Sequence, residues 1–223
     1  MPGKTEKCLW CASCAVITAA FALFDRENYL TFAASLLGVT SLIFAAKGHP
    51  LGPALMVVFS IMYGIISLSF RYYGEMISYL GMTLPMSAAA LVSWLRHPFR
   101  GGSPEVRVER LITRQWLFMA LLTLAVTILF YFILRALGTA NLLPSTISVA
   151  TSFAAVYLTW RRSPFYALAY AANDVVLIIL WLLAAAEDRG CLSVVVCFLA
   201  FRVNDLYGFC SWRSMARRQA RES

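Results

Sequence analysis

The stretch that decides the fold is YAANDVVLIILW, residues 170–181, with an Asn173-Asp174 pair inside an apolar run. A second pair, Asn204-Asp205, sits in another apolar run, VNDLYGFCSW, residues 203–212. Each aspartate is followed seven positions later by a tryptophan, Trp181 and Trp212. Seven residues are two helical turns, so each Asp and its Trp share a face. An ionisable group inside a membrane span is expensive and is read first as functional. A polar hook beside an aromatic platform suits a ligand with a flat ring and hydroxyl groups.

Composition places these runs in a membrane. Of the 223 residues 61% are hydrophobic, against about 45–50% in a soluble domain. Mean hydropathy is +0.72. Eight apolar segments are legible: 8–24, 29–46, 51–70, 76–95, 115–137, 141–160, 164–186 and 191–212. Most approach the ~20 residues that span hydrocarbon. The fold class is therefore an all-α membrane protein with eight transmembrane helices. Only short polar turns separate the segments, and the longest gap is 96–114.

The net charge of +8 lies between the apolar runs, which favours a bilayer over nucleic acid as the partner. With the N-terminus in the cytoplasm, fourteen basic residues fall inside: Lys4, Lys7, Lys47, Arg96, Arg100, Arg107, Arg110, Arg114, Arg161, Arg162, Arg213, Arg217, Arg218 and Arg221. Four fall outside: Arg26, Arg71, Arg135 and Arg189. The expectation is a multi-pass protein of the inner (plasma) membrane with both termini cytoplasmic. Segment 1 also has the marks of a leader, Lys4 and Lys7 before an apolar run and Ala20-Phe21-Ala22 near its end.

The chain carries a weak internal repeat. One stretch begins at Lys47-Gly48-His49-Pro50 and ends in Ser93-Trp94; another begins at Arg161-Arg162-Ser163-Pro164 and ends in Ser211-Trp212. This predicts an extra helix at 1–25 and a seven-helix core at 26–223. The core divides into repeat A (about 29–95), an inversion helix (115–137), repeat B (141–212) and a basic cytoplasmic tail (213–223). Parallel repeats are a transporter layout with substrate between them. Pro85 within segment 4 predicts a kink, static or part of a gate.

The run 170–181 and the run 203–212 with its basic tail resemble the PnuC family of vitamin transporters. Tyr73-Gly-Glu-Met76 and Thr83-Leu-Pro-Met86 resemble its first repeat. The resemblance covers segments 2 to 8 and implies a three-plus-one-plus-three, SWEET-like fold. It implies uptake of nicotinamide riboside by facilitated diffusion with alternating access, and trapping by a cytoplasmic kinase. Thiamine or riboflavin are the alternative cargoes. Family members tend to place glutamines in the first repeat, whereas this chain has only Gln115 and Gln219. Ser87 stands in the corresponding part of segment 4.

The candidate substrate-binding residues are Asn173, Asp174, Trp181, Asn204, Asp205, Tyr207, Tyr63 and Ser87. Trp181 is expected to stack on the vitamin ring and Asn173 to hydrogen-bond an amide or ribose hydroxyl. For Asn173 a helix-linking role is the structural alternative. Asp174 is read as pairing with a cationic pyridinium, relaying protons, or pairing with Arg202. Trp94 and Trp212 are read as members of the interfacial belt. Cys8, Cys11 and Cys14 read as small apolar residues of a span rather than metal ligands. No nucleophile elbow, HExxH or phosphate loop is present, so the enzyme reading gains no support, and a receptor would call for a larger soluble output element than the short turns between segments supply. No metal or cofactor is expected. Oligomeric state is open, a homotrimer among the options.

Overall fold

The computed structural model describes residues 3–70, 72–100, 104–139 and 141–222. Arg71, counted above among the external charges, and Ser223 lie outside these. Within the described residues eight helices are long and apolar enough to cross a membrane. They are α1 Lys4–Phe24, α2 Tyr29–Ala46, α3 Leu51–Ser69, α4 Tyr73–Arg96, α5 Thr113–Ala136, α6 Leu142–Trp160, α7 Phe165–Ala185 and α8 Leu192–Glu222. At 1.5 Å per residue, 18 to 24 residues cover roughly the ~30 Å of a hydrocarbon core.

Two boundaries differ from the expectation. The fourth helix begins at Tyr73, not 76, and so includes Glu75. The basic tail is not a free tail: α8 continues unbroken to Glu222. No proline follows Trp212 and no glycine closes a cap, so no signal stops the helix. Gln219 is buried.

Pro85 shapes α4 in a specific way. A wide π-helical turn over Ser78–Thr83 precedes the segment Leu84–Arg96. Proline lacks an N–H and its ring crowds the carbonyl one turn back, and the wider turn relieves both problems.

The helices form a ring. α3 packs between α2 and α4, and α7 between α6 and α8. Contacts of α2 with α8 and of α4 with α6 close it. α1 lies against α2 and α8; α5 lies against α6. Leu134 is the only buried residue of α5, and this helix presents Leu117, Leu121, Leu124, Ile128 and Leu129 outward. In a bilayer that surface costs nothing, because lipid tails are as apolar as leucine. Gly38 permits the closest approach of α2 to α8: an added Cβ would lie 2.2 Å from the Phe201 ring.

The two halves repeat each other in detail. The turns after α2 and α6 place Gly48 and Arg162 in the left-handed region, at φ 64° and 54°. Each is followed by the same bond: His49 N–H to Phe44 O, and Ser163 N–H to Leu158 O, both at 3.0 Å.

Candidate functional site

The interior of the ring holds a column of polar and aromatic side chains. It begins at the end opposite the termini. Trp181 of α7 is fully buried and donates its indole N–H to the Tyr63 hydroxyl of α3. Phe70 and Tyr72 meet it edge-on, each with centroids 5.3 Å away. Tyr79 lies 4.4 Å from Tyr63, and Phe198 of α8 meets Tyr63 edge-on at 5.5 Å. Four helices thus contribute to one aromatic box, whose rings adopt the edge-to-face arrangements favoured by their quadrupoles.

Glu75 of α4 opens beside this box. It is 1% exposed, and among the described residues neither carboxyl oxygen has a hydrogen-bond partner. Its carboxyl is close enough to Tyr63, Tyr72 and Tyr79 to interact with them electrostatically, and it faces Ser148 of α6. Ser67 and Ser78 nearby in the chain are also buried with unpartnered hydroxyls.

Deeper in the column, Asn173 is buried and its Oδ1 accepts from Thr151 at 2.8 Å, Ser152 at 3.0 Å and Ser148 at 3.3 Å. These hydroxyls come from one face of α6, where positions three and four apart are neighbours. Asp174 of α7 and Asp205 of α8 are both buried and lie against each other across the two helices. Asp174 Oδ2 has no hydrogen-bond partner among the described residues. The expected pairing of Asp174 with Arg202 is not made: no such ion pair occurs among the described residues, and Arg202 is exposed on α8. A long side chain carries its charge outward instead of desolvating it.

Ser87 is buried on α4. It stands six positions before Ser93-Trp94, as Asp205 stands six before Ser211-Trp212. Likewise Ser60 and Asp174 each stand ten positions after the proline that opens their stretch. The first repeat therefore carries hydroxyls where the second carries acids.

Two of the predicted residues are drawn elsewhere. Asn204 donates to Ser13 of α1 at 2.9 Å and to Ala200 O at 2.8 Å. Tyr207 donates to Glu6 of α1 at 2.6 Å, and Lys47 pairs with the same carboxylate. Trp10 donates to Thr40 of α2 at 3.1 Å. The bonds to Ser13, Glu6 and Thr40 fasten α1 to the ring, while Asn204 Oδ1 is buried with no partner among the described residues.

Trp94 and Trp212 close the column at the end that carries the termini. The belt reading fails for both, since each is buried to 1% or less. Trp94 Nε1 donates to Thr159 O at 2.9 Å and Trp212 Nε1 to Ala45 O at 2.8 Å. Their neighbours repeat the pattern: Ser93 to Trp160 O at 3.0 Å, and Ser211 to Ala46 O at 2.8 Å. Each Ser-Trp pair thus binds the last carbonyls of the first helix of the opposite repeat. The two indoles meet at 5.3 Å.

The segment between α4 and α5 laces over this closure. Val106 N–H bonds Gly48 O and Glu109 N–H bonds Arg162 O, both at 3.0 Å, so one strap spans both repeat turns. Glu109 pairs with Arg161 and Arg162. Burial pulls the Arg162 guanidinium below its ordinary value, and the Glu109 carboxylate opposes that shift. Gln219 clamps the strap through Val106 O at 3.0 Å and Val108 N–H at 2.8 Å. Gln115 accepts from Ile112 N–H at the start of α5. Both glutamines are thus occupied outside the column. A cleft of about 530 Å³ opens beside the strap, lined by Ser93, Arg96, His97, Trp160, Arg161 and Arg162 among others.

Glu75 and Tyr79 were not among the residues singled out from sequence. Glu75 belongs to the Tyr73-Gly-Glu-Met76 motif but reads there as a loop residue, just before the segment that begins at 76. The hydroxyl face of α6 was legible as Ser148, Thr151 and Ser152 at helical spacing.

Comparison with known proteins agrees with this architecture. The pattern of the family described as nicotinamide mononucleotide transporter matches residues 28–214. A nicotinamide riboside transporter PnuC of Neisseria mucosa is 24% identical over 209 residues, covering 92% of this chain and 79% of that protein. A nicotinamide riboside transporter PnuC of Haemophilus influenzae is 21% identical over 193 residues, covering 86% and 82%. The crystal structure of a vitamin B3 transporter PnuC superposes with a TM-score of 0.85 at 21% identity, covering 97% of this chain and 94% of that one. With the fold shared across nearly its whole length and the family pattern spanning both repeats, this chain belongs to the PnuC family of membrane transporters, not to the enzymes.

Proposed function

We propose that this protein takes up nicotinamide riboside by facilitated diffusion, exposing the column alternately to the two sides of the plasma membrane. The names of the curated relatives support this reading. The observation that carries it is electrostatic. Every buried charged side chain among the described residues is acidic: Glu6, Glu75, Asp174 and Asp205. Three of these line or adjoin the column. An acidic, aromatic interior suits a flat ring bearing a positive charge, as the pyridinium of the riboside does. It repels a phosphate, which carries about −1.5 to −2 charges at neutral pH. The mononucleotide in the family's description is therefore a poorer ligand than the riboside.

Asn173 and Trp181 are the residues assigned to the ribose or amide and to the ring, with Tyr63 holding Trp181 in place. The Asp174–Asp205 pair and Ser87 border the same path. The basic end, with both termini, faces the cytoplasm. The Trp94–Trp212 contact and its strap form the inner closure; Phe70 and Tyr72 form the outer one.

Thiamine is the second reading, favoured over riboflavin by the same observation, since its thiazolium ring is also cationic. Calorimetry on the purified chain with nicotinamide riboside, nicotinamide mononucleotide, thiamine and riboflavin separates these cargoes. Riboside binding with the mononucleotide at least tenfold weaker is expected. Equal affinity for the two would defeat the electrostatic argument. In liposomes the riboside should equilibrate chemically unchanged, without an ion gradient.

A further inference from the structure

Three acidic side chains adjoin the column, and their surroundings differ. Asp174 and Asp205 lie against each other across α7 and α8. Glu75 is 1% exposed and neither of its oxygens makes a hydrogen bond of ordinary geometry among the described residues; its one polar neighbour there is Ser148, whose hydroxyl donates to Asn173 instead. Buried polar groups are nearly always hydrogen-bonded, and an exception asks for an explanation. A buried carboxyl left alone is among the costlier exceptions.

The surroundings of Glu75 point to what would satisfy it. Tyr63, Tyr72 and Tyr79 lie within electrostatic reach of it. Tyr63 and Tyr72 in turn contact Trp181. Faces of tyrosine and tryptophan attract a cation, and a carboxylate at their edge adds a full opposite charge. Two further unpartnered hydroxyls, Ser67 and Ser78, lie on the same two helices as Tyr63 and Glu75. Those are groups that a hydroxylated ligand can satisfy.

We propose that Glu75 is the carboxylate that pairs with the positive charge of the transported ring, and that it sets the preference for cationic over neutral cargo. The proposal rests on the riboside reading above. It assigns the charge recognition to the first repeat, and leaves the Asp174–Asp205 pair as a link between α7 and α8.

The test compares two ligands of nearly equal shape, nicotinamide riboside and its neutral 1,4-dihydro form, by calorimetry on the detergent-purified full chain. The parent should favour the cationic riboside. Glu75→Gln should weaken riboside binding by about tenfold to a hundredfold, the range for a lost charge-assisted contact. Its affinity for the dihydro form should change by less than about threefold. Ligand-free Glu75→Gln should melt no lower than the parent, because it removes a buried unpaired acid. If Glu75→Gln does not fold, Glu75→Asp carries the test: it keeps the charge and should keep the preference. A folded Glu75→Gln that still prefers the riboside as the parent does, or a folded Glu75→Asp that loses the preference, overturns the assignment of Glu75 alone. A parent that binds no riboside overturns the transport reading together with it.

Discussion

Trp94 donates its indole N–H to the carbonyl of Thr159 at 2.9 Å, tying the last helix of one repeat to the first helix of the other. Trp212 makes the mirrored bond to Ala45 at 2.8 Å. These hooks hold the ring closed at its basic end. Trp94→Phe keeps most of the ring volume but removes one of the bonds to Thr159 O, which still accepts from Arg162 N–H, at a cost of about 0.5–1.5 kcal/mol. Trp212→Phe should cost a similar amount, because the two environments are pseudo-equivalent. Thermal denaturation of each purified variant checks this. A variant as stable as the parent would show that its hook does not hold the repeats together.

Trp181 should be the main affinity determinant among the aromatic residues. Trp181→Ala removes ring stacking worth about 0.5–1.5 kcal/mol in addition to buried apolar area. Riboside affinity should fall at least severalfold. Trp181→Phe should recover part of it, since a π-face survives, although the bond to the Tyr63 hydroxyl is lost. Equilibrium binding to variants that elute as the parent does on gel filtration reads the effect. Parental affinity in a folded Trp181→Ala would remove Trp181 from the ligand.

The candidate residues should divide into two groups. Asn173→Ala should lower riboside affinity, because the side chain sits in the column with its oxygen held by three hydroxyls. Asn204→Ala and Tyr207→Phe should instead lower stability by about 1 kcal/mol each through loss of their bonds to α1. Their affinity should stay near parental. A large loss of affinity in either would place that residue back on the substrate path.

Orientation is testable directly. A reporter fused after Ser223 should behave as cytoplasmic, because Lys47, Arg96, Arg107, Arg161, Arg162 and Arg213 share the end of the ring that carries both termini. An external signal would invert the assignment of inner and outer closures.

Sequence by itself determined the number of spans and their order. Those depend on local quantities: the length of each apolar run and the charges between runs. It also determined that Asp174 and Trp181 share a helix face, because that follows from helical periodicity alone. What each face meets was decided only by the tertiary structure. The indole of tryptophan suits a membrane interface or a buried carbonyl equally well, and only the crossing of α2 with α8 and of α4 with α6 placed Ala45 O and Thr159 O beneath Trp212 and Trp94. Arg202 was one of three candidate roles for Asp174, but the packing of α8 turned it outward and brought Asp205 inward. Glu75 read as a loop acid, three turns' distance in sequence from Pro85. The wide turn before Pro85 and the earlier start of α4 carry it inside, where helices distant in the chain enclose it. Burial is a property of neighbours from other segments, and for that reason no local pattern could disclose it.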